Sequence, residues 1–536
     1  MQPRSYIAAL VVLDGCNIEW LKKANTTNID KIIETGVGTR HAYSWATTRV
    51  APTKFKSVCP SATFTGHCSI LTGEYPCVHG IVGNSFYDRR SENLIDFDSY
   101  DVNEFIETET LYEKVKGTTA AVGEPITRGA DIVVKKTEVQ HRPVWKQDEY
   151  ATKMALKIIA EHSPVFIVVN FPGVDSIGET YGIHSNEAIR VIENSDVLLG
   201  KIETFLNENY NDHLLVIVAD HGMTYAGENI NLAKMMKELK TIICPSHRFA
   251  HIYLEKVGNR HACSLLLRSD TRIEKVLNPR ECKNMKLAHH RTGDIVVVAK
   301  EGYELGSKIL KGSHGGVSPN EMDVPFIVNK PEYYDITKDS NITDVFKVVM
   351  RYIVEKEAEA LVKSRLKDAD PAHNYSHTER VLRKATKLAI SHNTDIEIVR
   401  LACIFHDAER GSGVKDHPEK GAKLAEDFLT SKGYYKDKVK KIKSAILRHH
   451  TKNPDRINAI EEKILWDADK LDALGIIGFV RCVQEAGYNQ DSISSAVEHF
   501  KKDTEEFRDT MHFKETRKLS QKMSRIAEQF IDEMED

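Results

Sequence analysis

Four short runs of apolar, β-branched residues, at positions 7–13, 164–170, 214–219 and 294–299, limit what this chain can become. They are separated by helical patterns such as the one over residues 149–162. That alternation predicts an α/β fold with a largely parallel sheet sandwiched by helices. After about residue 355 the strand runs vanish and charged helical periodicity takes over, so the last 180 or so residues read as all-α.

A chain of 536 residues exceeds what one hydrophobic core supports, since single cores stop growing near roughly 250 to 300 residues. The pattern over residues 341–367 reads as a terminal helix of one domain running into the next, until Pro371 interrupts it, which places the division at 1–354 and 355–536. Lys plus Arg number 74 against 78 Asp plus Glu, a net charge of -4, which gives no electrostatic case for a nucleic-acid polymer or an anionic membrane. No stretch approaches the roughly 20 apolar residues of a membrane span, and the run at 7–13 ends in Asp14, as a first strand does. Nine scattered cysteines with no C-x-x-C pair suggest neither a disulfide framework nor a zinc ribbon, and point to a reducing, cytoplasmic setting.

Three of the apolar runs lead to a potential metal ligand. Asp14 follows Leu13, Asp175 follows the run ending at Asn170, and Asp220-His221 follow Ala219. Ligands gather beyond the carboxyl ends of parallel strands, so three such coincidences predict one site. Gly312-Ser313-His314-Gly315-Gly316 adds an imidazole in a glycine-rich turn that packing does not explain. Thr63 supplies a nucleophile where a helix begins, running to about Thr72 and stopped by Gly73. Free N–H groups and the helix dipole there would face an incoming phosphate.

These motifs, with Pro60 to His67, His79-Gly80-Ile81 and Asn84 to Asp88, resemble the alkaline phosphatase superfamily in its nucleotide pyrophosphatase/phosphodiesterase and phosphonoacetate hydrolase branch, over roughly residues 5 to 330. The resemblance implies two divalent ions, zinc or manganese. One is held by Asp14, Thr63, Asp220 and His221, the other by Asp175, Glu179 and His314, with Thr63 as the phosphorylated nucleophile and Asn84 binding substrate. The chain departs from the family twice. Glu179 stands where a His is usual, with His184 a weaker substitute, and Gly66 stands three residues after the nucleophile where an Asn is usual. A carboxylate at 179 favours manganese, magnesium or iron relative to zinc, and the missing amide removes a donor to the phosphoryl group unless His67 or a backbone N–H replaces it. The stretch between His221 and His314 is expected to form a specificity cap, where His247 and Arg248 could meet a substrate anion, while Lys135-Lys136 read as a solvated face.

In the C-terminal part, His373 and His377 are four residues apart, as on one helical face, and His406-Asp407 emerge from an apolar helical stripe. Asp469 lies in another apolar helix. The order H...HD...D resembles the HD-domain metal-dependent phosphohydrolases over about residues 358 to 500. By that resemblance His377, His406, Asp407 and Asp469 hold one divalent ion, manganese, iron, nickel or magnesium, with Lys470 as a phosphate contact. His417 and His450 leave a second metal position open, and Glu409 reads as a surface charge or an acid–base group.

The resulting expectation is a two-domain phosphohydrolase. Its N-terminal domain would cleave a phosphodiester or nucleotide pyrophosphate, its HD domain a phosphomonoester or nucleotide. A phosphonate hydrolase and a nucleotide-binding regulatory protein with a degenerate N-terminal site are the rivals. Each reading takes a small-molecule phosphoester, nucleotide or phosphonate as its partner.

Overall fold

The computed structural model describes residues 4–35, 37–38, 55–307, 310–334, 340–367, 369–410, 416–451 and 453–535. The chain divides into two compact units, Met1–Tyr352 and Ile353–Asp536, and the division falls inside the helix Asp344–Arg365.

The first unit is built on a seven-stranded sheet. In chain order its strands are β1 (Arg4–Leu13), β2 (Val37–Gly38), β3 (Thr119–Val122), β4 (Ile132–Val134), β5 (Phe166–Phe171), β6 (Tyr210–Val218) and, after four strands of a second sheet, β11 (Phe326–Val328). Their spatial order is β2-β11-β6-β1-β5-β3-β4. The pairs among β1, β3, β4, β5 and β6 are parallel, whereas β11 runs antiparallel to β6 and β2. Helices α2 (Gln147–His162) and α4 (Asn186–Asn209) pack against β5 and β6. Residues 7–13 of β1 are almost wholly excluded from solvent, which is why that run is apolar without alternation.

The run at 294–299 belongs elsewhere. Strand β10 (Ile295–Ala299) pairs antiparallel with β8 (Phe249–Leu254) and β9 (Ile273–Leu277), and β7 (Thr241–Ser246) completes this four-stranded sheet. The sheet has its own core, which includes Ile252, Leu267, Ile295 and Val297. An apolar run reports burial on both faces, and a strand covered inside a separate sheet satisfies that as well as one in the main sheet.

Helix α1 (Thr63–Thr72), which begins at the candidate nucleophile Thr63, is buried along its whole length and closed by Gly73 at φ 72°. Gly66 lets it approach the end of β6. A Cβ built there would lie 2.8 Å from the Asp220 backbone oxygen and 2.9 Å from the Asp220 Cβ. Position 66 is therefore a packing contact, with no room for the amide the family has there.

The second unit is helical: after the end of the helix Asp344–Arg365 come α5 (Tyr375–Ser391), α6 (Ile396–Phe405), α7 (His417–Ser431), α8 (Lys436–Arg448), α9 (Ile460–Lys470) and, among the described residues beyond it, the helices Gly475–Asn489, Ile493–Phe507 and Lys514–Glu535. Helix α5 packs on α6 and α9, and α7 on α8. His373 precedes α5 and hydrogen-bonds Asp370 through Nδ1 at 2.9 Å, so it does not share a helical face with His377. Among the described residues, no helix is long and apolar enough to cross a membrane.

Gly66→Asn tests the packing at α1. It is expected to destabilise the first unit by about 1–3 kcal/mol through overpacking, read as a lower unfolding midpoint; an unchanged midpoint contradicts the close approach of α1 to Asp220.

Candidate active site

The register of the three central strands assembles the first cluster. Leu13 of β1 pairs with Phe171 of β5, and Val12 pairs with Val218 of β6, so all three strands end at one level. Asp14, Asp220 and His221 lie just beyond those ends, and Asp175 lies in the first turn of α3 (Gly173–Tyr181). Gly15, at φ +70°, keeps the chain clear of Asp175, whose Oδ1 would lie 2.8 Å from a Cβ there. Its N–H donates to Asp220 Oδ1 at 3.1 Å, and the Asn170 amide donates to Asp14 Oδ2 at 3.2 Å.

Thr63 is the first residue of α1. Its N-cap is Ala62, whose side chain leaves the helix N-terminus uncapped. Thr63 Oγ1 lies 3.2 Å from His221 Nε2. His221 Nε2 lies 3.2 Å from Asp220 Oδ2 and 3.8 Å from Asp14 Oδ1, while its Nδ1 is held by the Gly222 carbonyl oxygen at 2.9 Å. The His221 and His314 rings stack at 3.9 Å, and His314 Nε2 lies 3.8 Å from Asp175 Oδ1. The carbonyl oxygen of Ser61 holds His314 Nδ1 at 3.0 Å. In both imidazoles the backbone bond fixes which nitrogen faces the cluster, the arrangement common to metal-bound histidines.

Buried carboxylates this close repel one another. Burial, reinforced by Glu179, Asp14 and Asp220, pushes the Asp175 carboxyl well above its usual range, and burial and Asp14 push Asp220 up to about 6. Burial also opposes charge on Asp14, yet His67 and His221 hold its carboxyl well below the ordinary value. Asp14 Oδ1, Asp175 Oδ1 and Asp220 Oδ2 are buried without a hydrogen-bond partner. Such orphaned oxygens beside imidazole nitrogens fit divalent cations.

Glu124 and Lys136 were not legible as site residues. His67 puts Nε2 3.5 Å from Asp220 Oδ2 and 3.7 Å from Asp14 Oδ2, with Nδ1 2.8 Å from Glu124 Oε2. Burial opposes its charge, but Glu124, Asp220 and Asp14 raise its pKa well above the usual imidazole value. Lys136 is half-buried, lies 4.6 Å over the Phe64 ring and lines the cavity with Thr63, Asn84 and Asp175; it is not part of a solvated face. Asn84 Oδ1 accepts from the Phe64 N–H at 3.4 Å, next to Thr63 in the chain. Arg248 is wholly buried, donates to the Ala299 carbonyl oxygen at 2.7 Å and pairs with Glu321, so it supports the fold and meets no substrate. His184 is exposed, while Glu179 and His247 line the cavity.

The second cluster lies at helix ends. His377 sits in the first turn of α5, His406 and Asp407 just beyond α6, and Asp469 in the last turn of α9. His377 Nε2 is 3.2 Å from both His406 Nε2 and Asp469 Oδ1, and 3.7 Å from Asp407 Oδ2. Asp472 orients His377 through Nδ1 at 2.9 Å, and is itself gripped by Arg380 at 2.9 Å. The other oxygen of Asp407, Oδ1, faces His449 Nε2 at 3.4 Å and His417 Nε2 at 3.5 Å. These three atoms are buried without hydrogen-bond partners, and His417, His449 and His450 form a further candidate cation group. Burial lowers His406 and His417 to about 4, which favours the neutral, ligating form of each ring. Lys470 Nζ is 2.8 Å from Asp469 Oδ2 and lines the adjoining cavity with His377 and Arg410, while Glu409 pairs with Arg365 at 3.3 Å.

Residues 8–322 match the type I phosphodiesterase / nucleotide pyrophosphatase family and residues 374–474 match the HD domain, both metal-dependent. The chain is 24% identical over 364 residues to the human bis(5'-adenosyl)-triphosphatase ENPP4, spanning 63% of this chain and 76% of that protein. It is 26% identical over 191 residues to the uncharacterized protein YpgQ of Bacillus subtilis, spanning 34% of this chain and 93% of that protein. The structure of phosphonoacetate hydrolase from Sinorhizobium meliloti 1021 in complex with phosphonoformate superposes with a TM-score of 0.52 at 21% identity, covering 65% of this chain and 95% of that one. With the match extending over more than half its length, the chain belongs to the type I phosphodiesterase / nucleotide pyrophosphatase family, carries an HD domain after it, and is a hydrolase acting on phosphorus ester bonds.

Proposed function

We propose that the protein is a bifunctional, cytoplasmic phosphohydrolase with domains at 1–354 and 355–536. The first would cleave a phosphodiester or nucleotide pyrophosphate through Thr63, the second a phosphomonoester or nucleotide at the HD cluster. The observation that carries the first half is Thr63 Oγ1 at an uncapped helix N-terminus, 3.2 Å from His221 Nε2.

Asp14, Thr63, Asp220 and His221 would hold one divalent cation, and Asp175, Glu179 and His314 a second, zinc or manganese. Such a pair lowers the pKa of the attacking hydroxyl and offsets charge on the transferring phosphoryl group. Thr63 Oγ1, its proton released to solvent, forms a bond to phosphorus while the bond to the leaving oxygen breaks, that oxygen departing with the electron pair and taking up a proton from solvent. Water then attacks the phospho-threonine and releases Thr63 with its proton restored. Asn84, fixed by the Phe64 N–H, supplies amide donors to a phosphoryl oxygen, in place of the side chain that position 66 cannot hold. His67, backed by Glu124, sets the spacing of Asp14 and Asp220. The naming of ENPP4 as a dinucleoside triphosphatase supports a nucleotide substrate. Lys136 over the cavity supports a second reading, a substrate bearing a further anion such as a phosphonate carboxylate.

In the HD cluster we propose two cations in place of the single one expected from the sequence. His377, His406, Asp469 and Asp407 Oδ2 would hold the first, Asp407 Oδ1 with His417 and His449 the second, with manganese, iron, nickel or magnesium fitting this mixed donor set. Lys470 and Arg410 would meet the phosphate. A reducing compartment suits nine free cysteines, eight of them buried.

Thr63→Ala is expected to lower bis-p-nitrophenyl phosphate and dinucleoside triphosphate hydrolysis by about three orders of magnitude or more, with HD activity toward phosphomonoesters intact. Retained diesterase activity rules out the phospho-threonine, and a wild-type chain that binds nucleotide without turnover at this site favours the regulatory reading.

Elemental analysis counts the HD cations. Asp407→Ala is expected to remove two ions per chain and His449→Ala one; loss of one ion from Asp407→Ala with none lost from His449→Ala restores the single-cation site.

A further inference from the structure

Glu179 stands where the family places an imidazole, one turn after Asp175 in α3. The described residues around it supply an imidazole from elsewhere. His247 lies in the turn between β7 and β8, at φ 58°, a backbone conformation rare for a residue with a side chain. Its ring lies 3.9 Å from the His314 ring, and its Nδ1 is 3.8 Å from Glu179 Oε1. Ligand atoms of Glu179, His247 and His314 all fall within 4.8 Å of one another. Two bonds of about 2.1 Å to one ion place donor atoms roughly 3 to 3.5 Å apart, so small side-chain movements close this set on a cation.

The turn is held in place independently of any ion. The Arg248 N–H donates to the His314 carbonyl oxygen at 2.9 Å, and the Leu305 N–H to the His247 carbonyl oxygen at 3.0 Å. A Cβ at Gly315 would lie 2.4 Å from the Ser246 oxygen, so the turn and the His314 loop pack backbone to backbone. Wholly buried Arg248 pins the next residue to Glu321 and Ala299. A left-handed, non-glycine residue fixed from both sides and aimed into a cavity marks a positional requirement on its side chain.

We infer that His247 is the fourth protein ligand of the second cation of the N-terminal site, completing an Asp175, Glu179, His247, His314 set. This rests on the two-cation reading proposed above. The position then keeps two imidazoles, as the family's set does, but draws one of them from the β7–β8 turn of the four-stranded sheet, and Glu179 adds a carboxylate to it. Zinc and manganese are both accommodated, so the harder metal preference expected from Glu179 alone is reduced. Glu304, with Oε1 3.9 Å from His247 Nδ1, marks the competing role, in which His247 pairs with carboxylates or meets the substrate and holds no metal.

The test uses the full chain, loaded and then challenged with graded chelator, with ions per chain counted against wild type so that the HD ions cancel. His247→Ala and Glu179→Ala are each expected to weaken the hold on one ion by at least about 10- to 100-fold, and the double variant to lose it. X-ray absorption of the zinc-loaded chain should show one histidine nitrogen fewer in His247→Ala. His247→Gln, which preserves size, repeats both measurements if the alanine variant melts early. Unchanged chelator resistance and histidine count in the His247 variants overturn the inference, as does a double variant no weaker than Glu179→Ala. A raised KM with metal content intact assigns His247 to substrate and overturns it too. Asp220→Asn and Asp175→Asn are the controls: if neither lowers the ion count, the two-cation reading has itself failed, whatever His247 does.

Discussion

Mutual repulsion among Asp14, Asp175 and Asp220 is the constraint from which the rest of the first unit follows. Three parallel strands ending in step deliver these carboxylates to one buried spot, and burial makes their charge expensive. The surroundings answer with imidazoles: His67 between Asp14 and Asp220, His221 beside both, and His314 against Asp175. Orphaned oxygens remain after these contacts, and those are what cations satisfy. The close approaches at Gly15 and Gly66 serve the same end, since a side chain at either would push the carboxylates out of reach of one another.

The second unit reaches a similar result without a sheet. Asp407 sits between two groups of histidines, one oxygen toward His377 and His406, the other toward His417 and His449. Asp472 anchors His377 from behind, and Arg380 and Lys384 hold Asp472 in turn. A carboxylate whose two oxygens face separate ligand groups is suited to bridging two cations. Three carboxyl groups with different surroundings thus stand in one helical unit: Asp407 with its two oxygens toward separate imidazole groups, Asp469 beside His377, and Asp472 behind His377 as an orienting anchor.

Much of this was legible in the chain. The ends of the apolar runs marked Asp14, Asp175 and Asp220-His221, because a buried parallel strand can place polar chemistry only where it stops. Helix α1 was readable at both ends, from Thr63 to the glycine stop at Gly73. Harder to read were contacts made across long sequence separations. Nothing local links His67 to Glu124, or His247 to Glu179. The strand at 295–299 has the same texture as those of the main sheet, so its separate sheet was invisible to periodicity. Gly66 looked like a lost donor because a residue type records an absent side chain, whereas the wall that excludes it belongs to Asp220, far along the chain.

Charge arithmetic at the first cluster bears on substrate. On the proposed two-cation reading, the divalent ions would carry +4 and Asp14, Asp175, Glu179 and Asp220 together -4, so the loaded cluster would be neutral where a histidine at 179 would leave it at +1. The nearby His67 and Glu124 form a further pair that cancels when both are charged. Attraction for a phosphate must then come from local donors and from cations outside the ligand set. Lys136, held over Phe64 at the cavity, is positioned to provide it. A neutral cluster would discriminate less strongly among anionic substrates by net charge, and on the proposed reading selection would fall to the groups that line the cavity with it: the Asn84 amide, the helix N-terminus at Thr63 and the Lys136 ammonium. That division, with the metal cluster set up for bond-making and its rim for recognition, suits a substrate with a second negative group a short distance from the phosphorus attacked.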